Sequence, residues 1–280
     1  MQRKTAQDFD QELLILFDAY VHGLVDRRGF LERAQKFAVG GATAVGLLAA
    51  LSPNFAMGQV VPKDDARLST RMVDIPSPAG YGMVKGYLAQ PAQASGKLPC
   101  ILVVHENRGL NPHIEDIARR LAVDGYMAFA PDALTPLGGY PGDEDKAREL
   151  FPKLDQAKTR EDFATAVQLL RSRPDGTGKV GVVGFCYGGG MAHTLSVRFP
   201  DLQAAVPFYG NHPAAEDATK VKAPLLIHFA GVDERINAAW PAYEAALKSA
   251  GAKYTAHQYA GTQHGFNNDT TPRFDAAAAR

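Results

Sequence analysis

Cys186 stands in Gly184-Phe185-Cys186-Tyr187-Gly188, directly after the apolar run Lys179–Val183 and before a segment that reads as a helix. A thiol held at a sharp strand-to-helix turn is exposed for attack on an acyl carbon. The helix behind it points the positive end of its dipole at the sulfur and favours thiolate. Two small neighbours, Gly184 and Gly188, make room for such a turn. Two plainer readings compete. A lone Cys at the end of a buried strand can be an inert apolar filler, and a Gly-rich strand-to-helix turn can cradle a phosphate. The dinucleotide pattern is not met, because Cys186 occupies a position where it needs glycine.

Two further residues give the thiol reading its weight. Asp233 lies in Gly231-Val232-Asp233-Glu234-Arg235 and His264 in Gly261-Thr262-Gln263-His264-Gly265-Phe266, each just after a strand, Pro224–Ala230 and Tyr254–Ala260. Separations of 47 and 31 residues are what one strand and helix, then one more strand, would consume. Nucleophile, acid and base in that order at three strand ends make a triad. His264 would take the thiol proton and Asp233 would hold its tautomer. The backbone N–H of Tyr187 and that of Asn107 are the expected oxyanion donors.

The elements that must position these groups are legible as alternation. Strands read at Leu68–Pro76, Met83–Leu88, Leu98–His105, Gly125–Pro131, Val180–Phe185, Ala204–Tyr209, Pro224–Ala230 and Tyr254–Ala260. Helices read after Asn111-Pro112 and over Glu144–Phe151, Thr159–Arg171, Gly189–Arg198 and Ala238–Ala250. This predicts an α/β fold with a mainly parallel sheet, helices on both faces, and chemistry at the carboxyl ends of the strands.

These residues resemble the dienelactone hydrolase family, α/β-hydrolases with a Cys-Asp-His triad, over most of Arg71 to Asp275. The marks are His105-Glu106-Asn107-Arg108-Gly109-Leu110-Asn111, Pro131-Asp132-Ala133-Leu134, Gly184-Phe185-Cys186-Tyr187-Gly188-Gly189 and Gln263-His264-Gly265-Phe266. The resemblance implies an ester or lactone hydrolase that needs no cofactor or metal, with Glu106 holding the resting thiol neutral. The plainer reading of Glu106 is a loop carboxylate paired with Arg108. The arginines with which the family grips a substrate carboxylate are absent from Thr135–Leu137 and from Asn268. Arg108 or Arg235 would have to substitute. Arg108, Tyr209 and Phe266 are the expected substrate contacts, with aromatic surface also at Tyr140, Phe208 and Trp240. Neutral or less acidic esters are therefore expected over a carboxylate-bearing lactone. Family members close with a long helix, of which Ala276–Arg280 is only a beginning, implying a shortened C-terminus or a partner over the sheet.

The first sixty residues are a separate question. Phe9, Leu13, Leu16, Phe17 and Tyr20 lie on one face of a helix. Arg27-Arg28-Gly29-Phe30-Leu31 and the apolar run Phe37–Leu51 resemble a twin-arginine export signal, with Ala56-Met57-Gly58 as its cleavage site. Against this, residues 1–36 carry six basic and six acidic side chains, so no positive leader exists. Residues 1–60 are thus an export signal, giving a periplasmic protein, or a retained helical extension, giving a cytoplasmic one; 61–280 form the hydrolase domain. The apolar run is shorter than the ~20 residues of a membrane span.

Composition narrows the partners. Lys+Arg 30 against Asp+Glu 30 leaves no basic excess for nucleic acid, and two Cys with scattered His build no zinc knuckle. A small ester or lactone is the expected partner, and a homo-oligomer is left open. Two rival functions are a thiol-redox protein in which Cys100 resolves Cys186, and a catalytically idle hydrolase fold kept for binding.

Overall fold

The computed structural model describes residues 4–280; Arg3, counted in the charge balance above, lies outside them. The helices are α1 (Gln11–Val21), α2 (Arg27–Ala34), α3 (Ala44–Leu51), α4 (Phe55–Gly58), α5 (Pro112–Val123), α6 (Glu144–Leu150), α7 (Gln156–Ser172), α8 (Tyr187–Arg198), α9 (Glu234–Asn237) and α10 (Trp240–Ser249). The strands are β1 (Leu68–Ser77), β2 (Gly82–Pro91), β3 (Leu98–Val104), β4 (Met127–Pro131), β5 (Gly176–Phe185), β6 (Ala204–Phe208), β7 (Leu225–Val232) and β8 (Tyr254–Gln263). They form one sheet in the order β1-β2-β4-β3-β5-β6-β7-β8.

The chain divides into two compact units. The larger comprises Val60–Phe229 and Asp233–Gln258; the smaller comprises the residues up to Gln59, Ala230–Val232 and Tyr259–Arg280. In the larger unit, β1 and β2 pair antiparallel, β2 pairs antiparallel with β4, and β4, β3, β5, β6 and β7 run parallel. Leu102, Val103, Val104, Met127, Phe129, Val180 and Val182 are buried. Such all-apolar strands are what a sheet covered on both faces requires. On α5, Ile114, Ile117 and Ala118 are buried as expected, whereas Leu121 is only half-buried.

Strand register decides the redox reading. Cys100 is paired in register with Val180 and Val104 with Gly184, so Cys100 sits at the amino end of the sheet. Six residues of strand, about 20 Å at ~3.3 Å each, separate its level from that of Cys186. Cys100 cannot resolve Cys186, and burial pushes its thiol up to about 11. It is core.

In the smaller unit, Leu13, Leu14, Phe17, Tyr20, Phe30, Ala34, Leu48 and Leu51 build a core of their own. Asp10, Asp26 and Thr43 cap the three helices that supply it. Phe30 of the twin-arginine segment is fully buried, edge-on to Phe17 at 6.2 Å. The expected apolar run Phe37–Leu51 is interrupted at Gly40 and Gly41, both at positive φ, so α3 is only eight residues long. Among the described residues no helix is long and apolar enough to cross a membrane. The chain after His264 consists of turns, including Ala276–Ala279.

Three imidazoles of the larger unit make a prediction. Burial depresses His193 to about 3, and His212 and His228 each to about 4. All are neutral in the fold but become protonated in the unfolded chain below about 6.5. The unfolded state then binds more protons, so stability is lost as pH falls from about 6.5 towards 4. His193, fully buried, should steepen that loss by up to about 1.4 kcal/mol per pH unit. Urea midpoints at pH 7.5 and 5 should differ less in His193→Phe than in wild type; an equal difference would refute this account.

Candidate active site

The turn after β5 is built by backbone touching backbone. A Cβ at Gly184 would strike the carbonyl of Gly188, and one at Gly188 the carbonyls of Val104 and His105. A Cβ at Gly189 would strike Phe208 and Gly210. The start of α8 is therefore pressed onto the ends of β3, β5 and β6. Cys186, its N-cap residue, is forced to φ 55°, ψ −112°, a region L-residues avoid. Its N–H donates to the Phe208 carbonyl at 3.0 Å. Sequence reading placed the helix start at Gly189, and it begins at Tyr187. The glycines serve close approach rather than a turn.

The loop after β3 carries Glu106, Asn107 and Arg108. His105 anchors it: its Nε2 accepts the Ala133 N–H at 3.1 Å, so Nδ1 carries the proton donated to the Glu106 carbonyl. Burial keeps that imidazole neutral, and its ring stacks on Tyr187 at 6.2 Å. Asp132 ties the same loop to the one after β4. Its carboxylate accepts from the N–H groups of Leu110 at 3.2 Å, Leu134 at 3.0 Å and Tyr140 at 2.8 Å. Gly109 passes over it at φ 79°, where a Cβ would come within 2.7 Å of the carboxylate.

Arg108 is buried, and its Nη1 donates to the Asn107 carbonyl at 2.9 Å and to the Asn107 side chain at 2.7 Å. Burial lowers its pKa, opposed by the charges of Glu144, Cys186 and Glu106. It thus sits in the field of Cys186 and of both carboxylates. Glu144, on α6, approaches Arg108 Nε at 3.8 Å and accepts from Tyr140 Oη at 2.9 Å and Asn111 Nδ2 at 3.3 Å. Burial raises its pKa, with Arg108 pulling the other way. Sequence reading missed Glu144 as a site residue, because on α6 it reads as one of several surface charges.

Asp233 is buried at the N-terminus of α9, where its carbonyl accepts from Asn237 N–H at 2.9 Å. Arg235 is exposed. Tyr209 is 1% exposed at φ 38° and packs on Phe208, so the fold gives it core surroundings.

His264 and Phe266 belong to the smaller unit. Thr262 Oγ1 accepts from Gly231 N–H at 3.1 Å and donates to the Tyr259 carbonyl at 2.8 Å, fixing the strand ends before His264. Phe266 is fully buried against Tyr259 at 5.0 Å, a core position. Asn268, where a carboxylate-binding arginine would stand, turns its side-chain oxygen onto Thr270 N–H at 3.0 Å and Thr270 Oγ1 at 2.6 Å.

Removing the Asp132 carboxylate leaves two buried N–H groups and one half-buried N–H group without their acceptor. Asp132→Ala should cost about 2–4 kcal/mol in urea unfolding and lower ester turnover as the loops loosen. A change below ~0.5 kcal/mol would show that the loops hold without it.

Known proteins resemble both ends of the chain. Residues 84–280 match the dienelactone hydrolase family, and residues 1–39 match the family described as YqhI-like. A protein of Escherichia coli strain K12 named "Putative hydrolase fragment YghX" is 52% identical over 113 residues, covering 40% of this chain and 97% of its own length. The "Putative carboxymethylenebutenolidase" of the same strain is 32% identical over 235 residues, covering 79% of this chain and 86% of that protein. The crystal structure of a "Putative Dienelactone Hydrolase" from Klebsiella pneumoniae superposes with a TM-score of 0.65 at 27% identity, covering 75% of this chain and 94% of that one.

Proposed function

As this chain belongs to the dienelactone hydrolase family and is a hydrolase, we propose that it cleaves ester or lactone bonds through a cysteine acyl-enzyme, with Cys186, Asp233 and His264 as triad. The observation that carries the reading is the backbone of Cys186. A buried filler has no need of a positive φ at the N-terminus of a twelve-residue helix, whereas a nucleophile gains a field that favours thiolate, and Cys186 keeps 9% of its surface open.

In this mechanism the Cys186 thiol passes its proton to His264 as sulfur bonds to the acyl carbon. The Tyr187 and Asn107 N–H groups receive the oxyanion. The tetrahedral intermediate collapses, the C–O bond breaks, and the leaving oxygen takes the proton from imidazolium. Water, deprotonated by the same imidazole, then hydrolyses the thioester and returns the thiol. Asp233 orients His264 and stabilises its charged form. Glu106, next to the Arg108 that feels the Cys186 charge, is the group to hold the resting thiol neutral.

Substrate charge follows from Arg108. Its guanidinium is already committed to Asn107 and Glu144, and Asn268 is turned onto Thr270. A substrate carboxylate would have to displace Glu144 from the cation, which favours neutral or weakly acidic esters.

The decisive experiment is a panel of small esters and lactones with wild type and Cys186→Ala. The variant should lose at least about a thousandfold in kcat/KM; turnover at the wild-type rate would sink the mechanism. An idle binding module would show no turnover with any ester even in wild type. Glu144→Gln should improve kcat/KM for a carboxylated lactone about tenfold relative to its neutral analogue, worth ~1.4 kcal/mol. No change in that ratio would mean that Arg108 does not meet the substrate.

A further inference from the structure

The smaller unit joins two stretches of chain far apart in sequence: the helical segment before Gln59, and the turns that carry His264. Their meeting is specific. The rings of His22 and His264 lie edge to face, with centroids 4.7 Å apart and planes at 83°. Asp18, one turn before His22 on α1, pairs with His22 Nδ1 at 3.3 Å and with Arg273 Nη1 at 3.4 Å. Arg273 in turn lies over the Phe17 ring at 5.2 Å and fills the space beside Gly265 that a Cβ there would enter. One residue before His264, Gln263 exchanges amide hydrogen bonds with Gln11 in both directions, at 2.8 Å and 3.3 Å.

We infer that Asp18 and His22 are positioning residues for the His264 imidazole, so that the N-terminal helical segment is a working part of the enzyme rather than a leader. The inference deepens the reading of His264 as general base and rests on it for its effect on turnover. The ring contact limits the rotation of His264, and the paired amides fix the backbone just before it.

The carboxylate of Asp18 supplies charge as well as shape. Burial opposes its ionisation, but the hydrogen bond from His22 and the charges of His264, His22 and Arg273 hold its pKa far below the ordinary range. It is a carboxylate at every working pH. Among the described residues, the titratable and charged groups grouped with His264 in this unit are Asp18 on α1, His22 at the C-cap of α1, and Arg273 from the turns. A fixed negative charge stabilises the imidazolium that forms when the Cys186 proton arrives, and raises the pH at which His264 titrates.

The test uses the full chain as wild type, Asp18→Asn, Asp18→Glu and His22→Gln. The His264 ring proton, assigned by comparison with His264→Gln, is titrated by NMR, and kcat/KM for p-nitrophenyl acetate is measured against pH. In Asp18→Asn the His264 midpoint should fall by about half a pH unit or more. The acidic limb of the rate profile should move the same way, and kcat should drop several-fold with KM little changed. Asp18→Glu should recover most of the midpoint, and His22→Gln should lower kcat several-fold while leaving the thermal midpoint within about 3 °C. Midpoints and kcat equal to wild type in Asp18→Asn and His22→Gln would overturn the inference. If Asp18→Asn does not fold, the His22→Gln result decides. A His264→Ala variant that hydrolyses at the wild-type rate would instead overturn the triad, and the NMR midpoints would still decide whether Asp18 and His22 act on His264.

Discussion

The approach of α8 to the sheet with no side chain between them is the constraint on which the larger unit's chemistry rests. Gly184, Gly188, Gly189 and Gly210 each occupy a place where one extra carbon would meet backbone. Backbone cannot yield as the tip of a lysine can, so these positions tolerate no other residue without moving a helix or a strand. The result is that the first N–H groups of α8 converge at the ends of β3 and β5. Cys186 is held in a conformation costing roughly 1–3 kcal/mol, which the surrounding ladder sustains.

Around that fixed point, His105 and Asp132 tie the neighbouring loops together. His105 stays neutral because burial forbids its charge, and in that form it donates to one loop and accepts from the next. Asp132 does the complementary task with three backbone donors. Arg108 and Glu144 lie 3.8 Å apart, within the field of Cys186. The thiol reaction proposed above would benefit from this, because a lone buried cation would bind any passing anion and a lone carboxylate would oppose thiolate.

How much of this the sequence disclosed depends on how local each cause is. The central strands were readable because burial on both faces forces a continuous apolar run, as in Leu102–Val104. The motif at Cys186 was readable because its glycines are adjacent in the chain to what they accommodate. The start of α8 was misplaced by two residues, since glycine signals a turn by propensity but here fills a contact. Phe266 and Tyr209 read as aromatic surface and are core, because aromatic residues at strand ends carry no mark of which way they face. Glu144 and Asp18 were invisible as site residues for a stronger reason. Each meets a partner brought near only by tertiary structure, Arg108 for Glu144 and Arg273 for Asp18, and no spacing rule links those pairs.

The hydrogen bonds between Gln11 and Gln263 span 252 residues. On the ribosome, Gln11 emerges 252 residues ahead of Gln263, and the stretch between them must be translated before those bonds can form. The larger unit can begin to close its parallel sheet during that interval, up to β7. At the ordinary elongation rate of about 5–20 residues per second, the delay is on the order of 10–50 s. During it Leu13, Phe17 and Tyr20 have only α2 and α3 to shield them. That the three helices carry a core of their own gives the waiting segment somewhere to hide its hydrophobic face.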